Sequence, residues 1–223
     1  MAGFKAHISF GILTAIVFSS VLFLCTPIKL PEIYLAFFIT IFSAMLPDID
    51  SNSGIPVQII FALLSLISMV LVFDLSLKHY NLYLEGAIAA VSAGALMFAG
   101  VQYAFKRLTS HRGAFHSVPM ALIFGLITLT VLSQYKFHYW SLFTFMLAVV
   151  VGYLCHLVLD ELNSAVNLSG KLFRPKKSLG SALKLTASTA LSTAVMYMVL
   201  SYLLYINQGL LYKIFKLKGL MGK

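Results

Sequence analysis

The chain has 223 residues, of which 60% are hydrophobic and 10% charged, and its formal net charge is +9. Soluble domains carry about 25% charged residues, so this composition excludes an ordinary soluble globule and indicates a chain for which a lipid bilayer acts as solvent. In a soluble protein the positive charge would suggest nucleic acid. In a membrane protein it is explained by basic cytoplasmic loops and attraction to anionic lipid headgroups, so we expect no nucleic-acid partner.

Seven apolar runs, separated by proline, glycine or charged residues, predict the membrane-spanning segments. A transmembrane helix needs about 20 mostly apolar residues. The sequence therefore predicts an all-α fold, a polytopic transmembrane helix bundle of about seven spans. It comprises a single helical domain over 1–208 and a basic amphipathic tail over 209–223. The predicted spans are 8–26, 31–46, 56–77, 82–105, 115–133, 139–159 and 183–206.

The basic residues in the loops predict the orientation of the chain. With seven spans, nine Lys and Arg residues lie in the loops on the N-terminal side and three in those on the other side. Cytoplasmic loops are enriched in Lys and Arg, so the N-terminal side is predicted to face the cytoplasm. The tail counts against this bias, because an odd number of spans places its four lysines on the other side. They are Lys213, Lys216, Lys218 and Lys223.

Four groups of polar residues, far apart in the sequence, fall at the predicted cytoplasmic ends of the spans. Ionisable residues at the edge of a span are costly and usually have a role, so their agreement on one side favours a shared site over four unrelated headgroup contacts or helix caps. The groups are His7 at the start of span one, Asp48 and Asp50 after span two, His111, Arg112 and His116 before span five, and His156 with Asp160 at the end of span six.

The spacing of these residues indicates a metal site. His156 and Asp160 are four residues apart, so on a helix they project from one face and can share a metal ion. His111 and His116 are five apart, about 140° around a regular helix, so at least one of them is expected in the loop. Imidazole together with carboxylate suits zinc, manganese or iron(II) better than calcium, which prefers oxygen ligands.

These motifs resemble those of the YdjM-like bacterial inner-membrane proteins, described as membrane-bound metal-dependent hydrolases. The resemblance covers about residues 3–180. It implies a multi-pass protein of the bacterial inner membrane with a hydrolytic site. The orientation predicted above places that site at the cytoplasmic face. The residues that carry it are His7, Leu46-Pro47-Asp48-Ile49-Asp50, His111-Arg112-Gly113 with His116-Ser117, and Gly152-Tyr153 with His156 and Asp160.

The order of these residues also resembles the zinc-dependent phospholipase C and P1 nuclease superfamily. The chain lacks the N-terminal Trp ligand of that superfamily and offers fewer His and Asp residues, so one or two metal ions are expected rather than three. The likeness implies a divalent metal cofactor with zinc favoured, and the ligand chemistry leaves manganese as the alternative. By that likeness the metal ligands would be His7, Asp48, His111, His116, His156 and Asp160.

The phospholipase likeness implies hydrolysis of a phosphoester, with a membrane lipid as the expected partner and substrate. The guanidinium of Arg112 suits phosphate oxygens. Asp50 is the candidate for a general base or a ligand of a second metal, and the sequence does not choose between these roles. Arg112 and Asp50 are therefore the predicted catalytic residues.

Two other functions stay open. One is a metal-binding membrane protein or transporter without hydrolytic activity, which would place polar residues near the bilayer midplane. The predicted spans are almost uniformly apolar at their centres, which disfavours transport. The other is a scaffold with a structural metal, which would lack an open coordination position.

Overall fold

The computed structural model describes residues 4–50, 55–80, 83–104, 114–165 and 183–221. Within these ranges the chain is all-α, as predicted, and its only β-type pairing is a single bridge between Ser117 and Lys184. A 3-10 turn, Leu46–Asp50, follows α2, and α4 continues into a π-helical stretch, Leu96–Val101. The helices are α1 Phe4–Cys25, α2 Leu30–Ser43, α3 Ile55–Tyr80, α4 Leu84–Ala95, α5 Val118–Leu132, α6 Tyr139–Ala165 and α7 Ala190–Met221.

Five of these helices are long and apolar enough to cross a bilayer: α1, α3, α4 with its extension, α6 and α7. Helices α2 and α5 have 14 and 15 residues. At 1.5 Å per residue they are about 21–23 Å long, shorter than a hydrocarbon core of about 30 Å. A helix therefore lies at each of the seven predicted spans, but α2 and α5 are too short to be full crossings by themselves.

Proline determines where the two short helices begin. Pro31 and Pro119 each lie in the first turn, in α2 and α5 respectively. Proline is tolerated in the first turn, where its fixed φ suits the helix and its missing N–H has no intrahelical partner to lose. At the other end of α2, Pro47 falls in the 3-10 turn, so the α-helix ends before it.

The last helix departs most from the predicted spans. The sequence predicts a span that ends at 206, whereas α7 runs unbroken from Ala190 to Met221. Its polar residue Asn207 is buried, and its Nδ2 donates to Thr130 Oγ1 and to the Leu203 carbonyl, each at 2.8 Å. A buried amide with partners does not interrupt a helix. The helix thus passes the predicted boundary at 208 without a break, and the division into a domain 1–208 and a tail 209–223 stays a prediction.

The chain separates into two compact units, one of Met1–Pro47 with Ala114–Lys223 and one of Asp48–Gly113. In the first unit α6 is the central helix, with two buried faces. One face packs Phe145 and Ala148 against Leu22 of α1 and Ala36 of α2. The other packs Leu142 against a cluster from α5 and α7. That cluster comprises Ile123, Leu126, Leu129, Met196, Leu200, Leu203 and Ile214.

The second unit contains α3 and α4, which pack closely along small residues. A Cβ atom at Gly94 would lie 2.5 Å from Cγ of Met69, so only glycine admits that side chain without a shift. The Gly94 carbonyl accepts a hydrogen bond from the Ser65 hydroxyl at 2.8 Å.

Candidate metal centre

The central helix α6 supplies two residues of the centre. His156 and Asp160 are 1% and 4% exposed, and His156 Nε2 lies 3.8 Å from Asp160 Oδ2. Their four-residue spacing places both on one face, as predicted. A carboxylate buried this deeply is strongly unfavourable unless donors or a cation face it. The groups that face Asp160 therefore decide what the site can bind.

The orientation of His156 is set by a backbone carbonyl at the end of α2. Its Nδ1 lies 2.8 Å from the carbonyl oxygen of Ala44. A carbonyl oxygen can only accept, so Nδ1 carries the hydrogen and donates it. In the neutral ring Nε2 then presents its lone pair, on the side of Asp160. A metal-ligating histidine characteristically donates its second ring N–H in this way.

A glycine lets α2 come close enough to make that contact. A Cβ atom at Gly152 would overlap the Ser43 hydroxyl and the Thr40 carbonyl oxygen of α2. The Ser43 hydroxyl also donates to the Ala148 carbonyl of α6 at 3.3 Å. The backbones of α2 and α6 thus meet one turn before His156, and this close approach positions the carbonyl of Ala44.

Helix α1 contributes His7 from its first turn. Its Nε2 lies 3.3 Å from Asp160 Oδ1, and its ring stacks on that of His156 with centroids 3.7 Å apart and planes inclined by 10°. His7 Nδ1 is buried, and within the described part of the chain it has no hydrogen-bond partner. Burying an imidazole nitrogen without a hydrogen-bond partner costs about 1–3 kcal/mol. This cost favours a ring that binds a further group.

His116 comes from the segment that leads into α5. Its Nε2 lies 3.9 Å from Asp160 Oδ2, and the residue is 2% exposed. The backbone on either side is held in place. The Tyr153 hydroxyl of α6 donates to the Phe115 carbonyl, and the Val118 N–H donates to the Lys184 carbonyl at 3.0 Å. His116 is thus fixed outside a helix, as the spacing from His111 allowed.

The donor set fits a divalent metal ion. One ligand atom from each of His7, His156 and Asp160 can be chosen so that all lie within 4.8 Å of one another. Zinc bonds of 2.0–2.1 Å in a tetrahedron place two ligand atoms about 3.4 Å apart. The nitrogen–oxygen distances of 3.3, 3.8 and 3.9 Å from the three histidines to Asp160 are within about half an ångström of that spacing. This buried His/Asp group can therefore hold a metal ion.

The remaining predicted site residues stay predictions. Asp48 is half-buried in the 3-10 turn Leu46–Asp50, where the second unit begins. For Asp50 the structure describes the backbone in that turn but not the side chain. His111 and Arg112 lie outside the described residues. The ligand roles of Asp48 and His111 and the catalytic roles of Asp50 and Arg112 stay predictions from the sequence.

Sequence reasoning missed the groups that position the ligands. Gly152 and Tyr153 lie in a motif that carries the family resemblance, but their spacing predicts no role for either. The sequence does contain a signal for such a role, because an adjacent glycine and tyrosine interrupt an otherwise apolar run. The Ala44 carbonyl gives no signal at all, because every residue has a backbone carbonyl and only packing selects this one.

Comparisons with known proteins add a family. A model of the YdjM inner membrane protein family matches residues 1–217, which include every residue of the site described above. No curated protein and no solved structure matches the chain. The predicted family resemblance is thereby confirmed, whereas the likeness to zinc-dependent phospholipase C and P1 nuclease stays a prediction.

Proposed function

The chain belongs to the YdjM inner membrane protein family, and we propose that it is a metal-dependent hydrolase embedded in the membrane. Its proposed substrate is a phospholipid or another membrane-associated phosphoester. The observation that carries the proposal is the convergence of three buried histidines on one buried carboxylate. Their Nε2 atoms lie 3.3, 3.9 and 3.8 Å from the oxygens of Asp160 for His7, His116 and His156.

These residues would hold the metal ion, with zinc favoured and manganese the alternative. A bound divalent metal supplies two kinds of chemistry: it lowers the pKa of water toward about 7, and it polarises a phosphoryl oxygen. The chain's own contribution is orientation. The Ala44 carbonyl holds His156 with Nε2 toward the site, and the Tyr153 hydroxyl holds the backbone next to His116.

The depth of the site supports a lipid substrate. His7 directly precedes the predicted span 8–26 and Asp160 directly follows the predicted span 139–159, so both lie at the boundary of an apolar stretch. That boundary is close to the headgroup region, where the phosphodiester of a phospholipid lies while its chains stay in the bilayer.

The membrane face on which the site lies and the roles of Arg112 and Asp50 are inferred from the sequence. We infer that the site faces the cytoplasm because the loops on its side carry the larger number of basic residues. A cysteine at position 178 should then resist impermeant thiol reagents in intact cells, and labelling there would contradict the orientation. Arg112 would bind phosphate oxygens, and Asp50 would act as a general base or bind a second metal.

The test is release of phosphate or headgroup from mixed micelles by metal-replete protein, with metal content measured on the same samples. Arg112→Ala should keep its metal and lose most of the turnover. Asp160→Asn should lose both, and Asp74→Asn, which changes an exposed carboxylate of α3, should lose neither. Full activity of Arg112→Ala would remove Arg112 from the mechanism. Absence of cleavage across a phosphoester panel by the metal-loaded protein would favour a metal-binding protein or transporter without hydrolytic activity.

A further inference from the structure

A cavity of about 690 Å³, called the polar cavity here because Lys29, Glu32 and Lys136 line it, lies at the other end of the first unit from the metal centre. It is formed by the connection between α1 and α2, by the connection between α5 and α6, and by the start of α6. Along α6, Trp140 at its wall and Asp160 in the metal centre are twenty residues apart, about 30 Å on a helix. The cavity therefore belongs to the opposite membrane face. The side chains used below are Lys29, Glu32, Lys136, His138, Trp140 and Ser141.

The cavity wall carries charges of both signs. Lys29 and Lys136 are exposed, and each brings an ammonium group. The same wall holds Glu32, which is half-buried and whose Oε2 accepts a hydrogen bond from the buried hydroxyl of Ser141 at 2.7 Å. That contact orients the carboxylate, which can still accept further donors because an ionised carboxyl offers about four lone-pair sites. Two cationic groups and one oriented anionic group thus line the same cavity.

A neutral donor adds to this set. The Trp140 backbone N–H lies 3.3 Å from His138 Nδ1 and donates to it. Nδ1 is then the acceptor of the neutral ring, so its hydrogen is on Nε2, which can donate to an oxygen of a ligand.

An apolar cavity of about 260 Å³ adjoins the polar one. The two share Pro27, Ile28 and Trp140 as wall residues, and the apolar one continues along Leu22 and Leu147, on α1 and α6. A polar space with an apolar extension has the shape and chemistry of an amphiphile. Trp at the junction is typical of the boundary between headgroups and hydrocarbon.

We propose that these adjoining cavities bind one phospholipid whose headgroup carries both a phosphate and a primary ammonium group. The phosphate lies between Lys29 and Lys136, the ammonium donates to Glu32, and part of an acyl chain lies along Leu22 and Leu147. A purely anionic headgroup would leave the carboxylate of Glu32 facing like charge. A quaternary ammonium has no N–H to donate to it. A soluble phosphate ester would leave the apolar extension without a partner.

The single tryptophan of the chain allows a direct test, because Trp140 lines both cavities. Full-length protein in micelles is titrated with phospholipids that carry bromine on their chains, and quenching of Trp140 fluorescence reports the occupied site. We expect phosphatidylethanolamine to reach half-quenching at a mole fraction about tenfold lower than phosphatidylglycerol or phosphatidylcholine, the ratio that one charge-assisted hydrogen bond provides. Equal quenching by the three lipids would mean ordinary surrounding lipid and would overturn the proposal.

Variants separate the parts of the site. Glu32→Gln should abolish the preference for phosphatidylethanolamine over phosphatidylcholine, and the pair Lys29→Gln with Lys136→Gln should weaken the binding of both lipids by about tenfold. Lys78→Gln, an exposed lysine of α3, is the matched control and should change nothing. Elution as a single species and an unchanged helical spectrum establish folding. A preference that survives in Glu32→Gln contradicts the ammonium assignment.

A soluble competitor distinguishes a lipid from a free headgroup. Phosphoethanolamine should not relieve the quenching at concentrations equal to that of the brominated lipid, because it lacks the chain that occupies the apolar cavity. Full displacement at such concentrations would mean that the headgroup alone is recognised and would overturn the lipid assignment. The outcome does not depend on the metal centre or on hydrolysis, since the metal ligands are unchanged in every variant.

Discussion

Helices α6 and α3 are both long and strongly apolar, yet their environments differ. In the apolar stretch of α6, 61% of the residues are buried, against 11% in that of α3. On α3, Leu66 and Val70 are more than half exposed, whereas on α6 Phe145 and Tyr153 are fully buried. Hydropathy identifies both as spans but does not tell which one is surrounded by protein. The surrounded helix is the one that carries His156 and Asp160, because buried polar groups need partners from neighbouring helices.

Removing the polar residues of α6 should have the largest effect, a loss of bound metal. His156→Ala and Asp160→Ala are each expected to lose most of the bound metal, because each removes one of the few ligands, and still to insert in the membrane. The metal-to-protein ratio of the purified variants is the measurement. Asp74→Ala, on α3, should keep the ratio of the wild type. A ratio that stays unchanged in either α6 variant would refute its role as a ligand.

The close packing of α6 against α2 predicts the next largest effect, a loss of stability. Gly152→Ala places a Cβ atom against the Ser43 hydroxyl and the Thr40 carbonyl. We expect a loss of about 1–3 kcal/mol in the free energy of unfolding, the usual cost of overpacking. Gly209→Ala on α7 is the matched control, since its Cβ would meet nothing within 4 Å, and it should be neutral or slightly stabilising. Unfolding in detergent, followed by helical content, compares the two. Equal stability of both variants would contradict the close approach of α2 and α6.

A smaller effect is expected from the hydroxyl that holds the segment around His116. Tyr153→Phe removes the donor to the Phe115 carbonyl, which should cost about 1 kcal/mol of stability. Metal affinity should fall by about tenfold or more, as is usual when a group that orients a ligand is lost. Competition with a chelator measures the affinity. Tyr202→Phe, exposed on α7, should leave it unaltered, and the same result for Tyr153→Phe would exclude a positioning role.

The smallest effect should be at the exposed surface of α3. Lys78 Nζ lies 2.8 Å from Asp74 Oδ2, and both side chains are at least half exposed. A pair of this kind, four residues apart on a helix, contributes at most about 0.5 kcal/mol, so Lys78→Gln should unfold almost as the wild type does. A loss of several times that value would show that this surface is covered by protein, and the contrast between α3 and α6 would then fail.

The all-α class, the approximate positions of the seven predicted helices and the shared face of His156 and Asp160 all follow from patterns in the amino-acid sequence. Hydropathy, proline positions and helical periodicity are local properties, and each can be read within one turn or one span. Helix packing explains why α7 continues past the predicted end at 206, with Asn207 buried, and why His7 and His116 meet Asp160. These outcomes depend on partners distant in the sequence, such as Thr130 for Asn207 and the Ala44 carbonyl for His156. Which distant groups meet is settled by how closely the helices can pack, here through the missing side chain of Gly152.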